Sequence, residues 1–516
     1  MSRTQNVVRN TKFAIISKIV TMSLSFVSRT IFIYYLGNVY LGVSGLFTDI
    51  LQVLSFAELG FGNALILAMY KPVADNNVLQ IEKLLKFYKK VYRWIALIIA
   101  VGGVSIIPFL QYIIKGANNL AINELRTFYA IYLFNTVVSY FVTYKFSYVN
   151  ALQKNYIQTN VELIRNIVTV LMQILVMIVF RSFLLYLIVE SVLLLISRVF
   201  ISLYLNKKFP VLKCNTKESL SKEEQKPIFR EVKGLALHQF SSIAVHSTDS
   251  IIISSFTSAG VIAVGLVSNY NLLINSVLGF VVIIFNSVTS SFGNLVATSS
   301  TEDYRKTFLT ANFINFWIYG FCSIAFFVLI PPFIEIWIGK DSLIDSISFL
   351  LIIINCYLQG QSVIYNNARI GKGDFNRDKW LALLQAFVNL IVSMVFAKTL
   401  GLTGVYIGTV VSRLTYVLFR PISTYKFLFG KPCKEYFIKL ITYFFVTSIA
   451  GLITWLLTYN LLNEVTIMRF IISAFIVAVV PNVLFFIAFF RSREFKDVIN
   501  RAKDYISKRG KKHDEP

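Results

Sequence analysis

The sequence predicts an all-α integral membrane protein of about fourteen transmembrane helices, and three observations carry that prediction. First, 56% of its 516 residues are hydrophobic and only 15% are charged, against about 25% charged residues in a soluble chain. Second, the apolar residues fall into runs of roughly twenty or more, the length an α-helix needs to cross about 30 Å of hydrocarbon. Third, the basic residues gather on alternate sides of those runs, as the positive-inside rule requires.

Read against their polar interruptions, the runs place spans near 11–36, 43–69, 91–114, 125–149, 160–180, 184–205, 234–258, 262–299, 308–330, 344–369, 380–398, 403–427, 436–459 and 467–490. The first run, Phe13 to Leu36, is too long for a signal-peptide core and lacks a small-residue cleavage pattern, so it is expected to stay as a signal anchor. With the N-terminus in the cytoplasm, 39 of the 50 Lys and Arg residues fall on cytoplasmic segments and adjoining span ends. Six lie outside, and five (Lys18, Arg29, Arg165, Arg198 and Arg413) lie inside spans. Removing any one span would scramble this division. The net charge of +24 is thus a topology signal with anionic lipid contact as a by-product, and no nucleic-acid partner is expected. Both termini are placed on the cytoplasmic side of a cell (inner) membrane.

The longest hydrophilic insert, 206–233, separates six spans from the rest and reads as a cytoplasmic linker. It divides an N-lobe, 1–205, from a C-lobe, 234–429; spans 13 and 14 follow over 430–491, then a basic cytoplasmic tail over 492–516. Sliding the chain by 220 residues pairs Arg29 with Asp249, Thr30 with Ser250, Gly45 with Gly265 and Leu46 with Leu266, which is what two parallel six-helix lobes would leave behind. Two basic stretches, 83–93 and 495–506, carry apolar residues at helical spacing and are expected to lie on the headgroup layer as interfacial helices.

A charge at mid-bilayer costs at least about 3 kcal/mol, so an ionisable residue within a span is a candidate for function. Lys18, Thr21, Ser25 and Arg29 lie three, four and four residues apart, which draws one polar, cationic stripe along the first helix. His238, Ser241 and Asp249 repeat that geometry on span 7. Facing stripes would line a cavity, and an Arg29–Asp249 pair would neutralise both charges in the absence of substrate. The competing reading has Lys18 and Arg29 snorkelling to the surfaces, which leaves Thr21 and Ser25 without a role. Arg413 sits near the middle of span 12, while Arg198, with Arg165 and Glu162, lies within reach of the cytoplasmic side and reads as an interface anchor before a functional group. Glu58, before Gly60 and Gly62, would carry a proton or coupling cation, or pair with an arginine; Glu190 is similar.

Soluble-site chemistry finds no purchase. None of the four Gly-Lys pairs precedes Ser or Thr, which excludes a Walker A loop. Three histidines at 238, 246 and 513 do not have metal-ligand spacing, and four scattered cysteines form no C-x-x-C pair. No cofactor, metal or catalytic residue is expected.

Residues Ser28-Arg29-Thr30-Ile31-Phe32, Leu36-Gly37 through Leu41-Gly42-Val43, and Ala57-Glu58-Leu59-Gly60-Phe61-Gly62 resemble the O-antigen, capsule and exopolysaccharide flippases. These belong to the multidrug/oligosaccharidyl-lipid/polysaccharide exporter superfamily. Tyr40-Leu41-Gly42 stands where Tyr-Gly is usual, and Glu58 where Asp is commoner. The resemblance implies two six-helix lobes in a V around a central cavity, with spans 13 and 14 as an accessory pair. It also implies Arg29, Lys18 and Arg413 as the cations that meet a substrate pyrophosphate, with Ser25 and Thr21 beside them and Asp249, His238, Glu58 and Arg198 as cavity or ion-coupling residues.

The expected activity is therefore translocation of an undecaprenyl-diphosphate oligosaccharide by alternating access, for surface polysaccharide assembly. Membrane lipids and other polysaccharide-assembly proteins are the further partners. Three rivals stand beside it: a peptidoglycan-precursor flippase, a multidrug/cation antiporter of the same fold, whose cavity should be rich in carboxylates and aromatics, and a membrane polysaccharide polymerase, which should carry a sizeable outer loop.

Overall fold

Helix follows helix along the computed structural model, which describes residues 3–58, 60–117, 120–373 and 377–511. Side chains are described over these stretches except at 3–12, 57, 234, 235, 237–239, 242, 244, 246, 284, 286–291, 294, 297, 502 and 504–511. No strand occurs among the described residues. The helices are α1 (Arg3–Leu54), α2 (Phe61–Ala74), α3 (Val78–Ile106), α4 (Leu110–Ile113), α5 (Ile122–Ala151), α6 (Tyr156–Phe180), α7 (Phe183–Lys208), α8 (Lys222–Phe256), α9 (Gly260–Thr298), α10 (Thr301–Ile338), α11 (Ser346–Gln361), α12 (Val363–Gly371), α13 (Lys379–Phe429), α14 (Lys434–Leu462), α15 (Ile467–Phe489) and α16 (Arg493–Lys511). Ten helical stretches among the described residues are long and apolar enough to cross a membrane. The chain is a multi-pass, all-helical membrane protein.

Each of the fourteen predicted spans falls on helix, but two helices carry more than one. α1 bends at Gly37 (φ 83°, ψ 176°), a backbone conformation open to glycine and strained for any L-residue, so spans 1 and 2 begin on one helix. α13 bends likewise at Gly401 (φ 59°, ψ −131°) between spans 11 and 12. The expectation that 43–69 is one continuous helix is corrected: α1 ends at Leu54, a 3-10 turn covers Ser55–Glu58, and α2 starts from Gly60 at φ 82°. The glycines there bend the chain and so bring Glu58 to a helix break.

Two units divide the chain. One runs to Asn269 and takes in Ser393–Val405; the other holds Tyr270–Val392 and the chain from Tyr406 onward. In the first unit α1 lies along α6 and α8, α3 along α5, and α7 along α5 and α6, around a core that includes Val43, Leu46, Phe47, Leu85, Tyr88 and Leu187. The segment 393–405 joins it by packing Ala397 and Val405 on Ile252, Ile253 and Val264. In the second unit α10 is the hub for α11, α12, α14, α15 and α16, and its core stacks Phe308, Tyr365, Tyr425, Phe429 and Tyr436.

The interfacial-helix expectation is corrected for 83–93. Leu84, Leu85, Tyr88 and Tyr92 are buried because α3 is continuous through this stretch and its apolar face finds α5; a face with a helical partner has no need of headgroups. The connector before α8 is strapped across the same helix. The Lys86 ammonium donates to the carbonyls of Thr216 (3.3 Å), Lys217 (2.9 Å) and Glu218 (3.2 Å), Lys83 pairs with Glu218 at 2.6 Å, and the Thr216 amide donates to Glu82 at 3.0 Å. α16 also has a protein partner: Phe495 and Val498 pack into the α10–α15 cluster, with Phe495 against Trp317 and Phe486.

Candidate functional site

α1 and α9 cross at a pair of glycines in the first unit. A Cβ on Gly42 would overlap the carbonyl of Val261, and one on Gly265 would overlap the carbonyl of Asn38, so the two backbones meet with nothing between them. Ser268 and Asn269, one turn beyond Gly265, are thereby presented to Arg29. The guanidinium donates to Ser268 Oγ at 2.7 Å and to Asn269 Oδ1 at 3.2 Å, while the Ser268 hydroxyl donates to the Gly265 carbonyl at 2.8 Å. Asn269 is fully buried.

Every bond to Arg29 among the described residues is therefore to a neutral oxygen, and Asp249 is not its partner. Beside it, Tyr186 on α7 is in electrostatic range of the guanidinium. Buried Gln173 on α6 donates to the Tyr186 carbonyl at 3.4 Å and bonds Glu190. A guanidinium fixed by neutral groups keeps its full charge and has donors left over, which suits it to a planar or tetrahedral oxyanion.

The other residues of the predicted stripe are less committed. Lys18, Thr21 and Ser25 are half-buried on α1, and Lys18 makes no ion pair or hydrogen bond among the described residues. His238 falls within α8, but its side chain lies outside the described residues. Asp249 is half-buried on α8; its neighbour Ser250 bonds Asp49 of α1. Glu58 is clasped by phenols, accepting from Tyr92 at 3.2 Å and bonding Tyr140; no arginine pairs with it among the described residues. Arg198 is drawn into an ion pair with Glu162 at 2.5 Å, and Arg165 holds the same carboxylate at 3.0 Å. Arg413 belongs to the second unit, where it is buried and its Nε donates to Asn355 Oδ1 at 3.1 Å.

Sequence reasoning passed over three groups. Asp49 is an ionisable residue in a predicted span, and the rule that selected Glu58 selects it too. Ser268 and Asn269 are neutral, so no charge pattern marks them. The third is a buried cluster in the second unit. Asp378, with no exposure, bridges Arg369 (2.9 Å) and Arg420 (2.8 Å), and both arginines donate to Asn366 Oδ1 at 3.2 and 2.9 Å. Arg420 also lies over the rings of Tyr416 and Tyr365, 4.6 and 5.7 Å from their centroids. All three charges stand near a predicted cytoplasmic loop, where charge is ordinary and burial is not legible.

No family model and no curated protein matches the chain in sequence. Solved structures do. The chain is similar to the lipid II flippase MurJ in an inward closed conformation, with a TM-score of 0.64 at 15% identity over 96% of this chain and 100% of that one. An inward-facing multidrug resistance MATE family transporter of the MOP superfamily aligns with a TM-score of 0.56 at 18% identity, over 78% of this chain and 96% of that chain. A mutant of the Vibrio cholerae MATE transporter VcmN gives 0.59 at 13% identity over 83% and 97%. At these identities the likeness is one of fold, and these neighbours are transporters and flippases: the chain has the fold shared by MurJ and the MATE transporters of the MOP superfamily.

Proposed function

We propose that this chain is a flippase that moves a lipid-linked (undecaprenyl-diphosphate) oligosaccharide from the cytoplasmic to the outer leaflet of the cell membrane by alternating access, for surface polysaccharide biosynthesis. The observation that carries the reading is Arg29, a membrane-embedded guanidinium whose described partners, Ser268 and Asn269, are both neutral. An uncompensated cation in low dielectric is costly by itself, and a diphosphate that docks on it relieves both partners. The polyprenyl tail stays in lipid, so only the diphosphate and sugars need a polar path, and hydroxyls such as Thr21 and Ser25 suit sugars along it. With the interior negative, outward movement of anionic charge gains about 2.3 kcal/mol per charge per 100 mV. Asp249, Glu58 and Asp49 are the carboxylates at which a coupled cation would act. Both termini are assigned to the cytoplasm on the distribution of Lys and Arg.

A peptidoglycan-precursor flippase is the second reading, favoured by the alignment with the lipid II flippase MurJ over nearly the whole chain. Both cargoes carry a diphosphate, so Arg29 serves either. Purified protein in liposomes should flip an undecaprenyl-diphosphate oligosaccharide, and Arg29→Ala should abolish it. Undiminished flipping by the variant removes the headgroup assignment; flipping of lipid II alone selects the second reading, and efflux of a cationic dye without flipping overturns both in favour of antiport.

A further inference from the structure

A second group of uncompensated cations lies elsewhere in the first unit, where the connector before α8 crosses α3. Lys86, Lys89, Lys90 and Arg93 occupy positions i, i+3, i+4 and i+7 of α3 and so share one face of the helix. Two adjoining cavities, of about 260 Å³ and about 820 Å³, have Lys89 and Arg93 in both their walls. The smaller is lined as well by Tyr92, Tyr144, Ser202 and Lys145 of α5, the larger by Lys86, Lys90 and Trp94.

Lys145 gives the smaller cavity its character. It is only 4% exposed, yet its ammonium meets three neutral oxygens: Ser202 Oγ at 2.6 Å, Asn206 Oδ1 at 2.9 Å and the Ser202 carbonyl at 3.4 Å. No carboxylate lines either cavity among the described residues. The nearby acids are occupied otherwise, Glu82 by the Thr216 amide and Glu218 by Lys83. Five like charges gathered around walls that hold no carboxylate repel one another, and an anion that enters relieves the repulsion.

We infer that this cavity binds a phosphate-bearing anion, with Arg93 and Lys89 as its donors and Lys145, whose three N–H groups are held by Ser202 and Asn206, as a fixed positive charge in its wall. The chemistry is that of a phosphate or diphosphate group, whether free in solution or on a lipid headgroup. The inference stands apart from the transported cargo, because none of these residues touches Arg29 or its partners.

Trp94 in the wall of the larger cavity reports on occupancy. Full-length protein in detergent is titrated with inorganic pyrophosphate at constant ionic strength, and the tryptophan fluorescence should change saturably, with the change missing in Trp94→Phe. The midpoint should rise by about tenfold or more in Lys145→Met and in the double variant Lys89→Gln/Arg93→Gln, and stay put in the control Lys306→Gln, a residue of the second unit. The double variant alters half-buried and exposed positions, so it decides the matter if Lys145→Met does not fold. Nanodiscs of neutral lipid and of lipid containing phosphatidylglycerol separate the sources. Equal pyrophosphate binding in both identifies a soluble anion, and binding suppressed only by the anionic lipid identifies a headgroup. A pyrophosphate titration that superimposes on sodium chloride, or a midpoint equal in wild type and the double variant, overturns the inference.

Discussion

Arg29 in the first unit and the Arg369–Arg420 pair in the second are all arginines of a membrane protein held by close hydrogen bonds, yet their surroundings differ in one respect. Arg369 and Arg420 share the carboxylate of Asp378 and the amide oxygen of Asn366, so half of their combined charge is cancelled in place. Arg29 is fixed as firmly, but by Ser268 and Asn269, so its charge is not. An arginine neutralised by a buried carboxylate acts as a strut; one positioned by neutral dipoles is available to an anion. Arg198, paired with Glu162, falls with the struts, while Lys145 falls with Arg29.

The largest effect should come from breaking the compensated cluster. Asp378→Asn leaves two buried guanidinia facing each other, and loss of one partner from a buried pair costs about 3 to 5 kcal/mol. Thermal unfolding in detergent should show a large loss of stability, and a midpoint equal to wild type would mean the cluster is no strut. Arg29→Gln should behave in the opposite way. Flipping in liposomes should fall by about 10- to 100-fold, the equivalent of one charge-assisted hydrogen bond, with an unfolding midpoint much closer to wild type. A large stability loss with intact transport would reverse the comparison.

A third substitution sharpens it by moving only the neutral partners. Gly265→Val drives a side chain into the Asn38 carbonyl at the α1–α9 crossing, and overpacking of this kind costs about 1 to 3 kcal/mol. Transport should drop along with stability, whereas Gly45→Ala, whose Cβ would meet only a Val264 methyl at 3.5 Å, should be tolerated in both measurements.

The smallest effect concerns a half-buried counterpart in the first turn of α8, a charge held by neutral donors outside the apolar spans. The Glu224 carboxylate accepts from the Ser221 amide at 2.7 Å and the Gln80 amide group at 3.1 Å, and these bonds hold its pKa below the ordinary 4.5. A depressed carboxyl stabilises the fold above its unfolded value and loses that contribution as pH falls through the folded one. Hydrogen exchange at the start of α8 should therefore quicken below pH 4.5 in wild type, and Glu224→Gln should remove the dependence. The change is no more than about 0.5 kcal/mol at a site still open to solvent screening; an unaltered pH profile in the variant would assign it to another group.

The bend points lie between legible and hidden. Gly37 and Gly401 both follow a Leu at the edge of a predicted span, so the break between spans could be read, whereas the survival of helix on either side of the break could not. The basic stretch 83–93 shows the reverse error. Its amphipathic pattern is real, but an apolar helical face looks the same whether it meets lipid or α5, and only the partner decides. In the candidate site, Arg29 was legible because a charge in an apolar run stands out, while Ser268 and Asn269 were not, because neutral polar residues in a span are common.

The sequence by itself determined the class of protein, the apolar runs that become its helices and the cations those runs carry, since hydrophobic length and charge are properties of short stretches of chain. Tertiary structure alone decided which of those cations are compensated. That depends on groups brought together from 239 residues away for Arg29 and Ser268 and from 42 away for Arg420 and Asp378, and electrostatic compensation acts across space, within a few ångströms, whatever the distance along the chain.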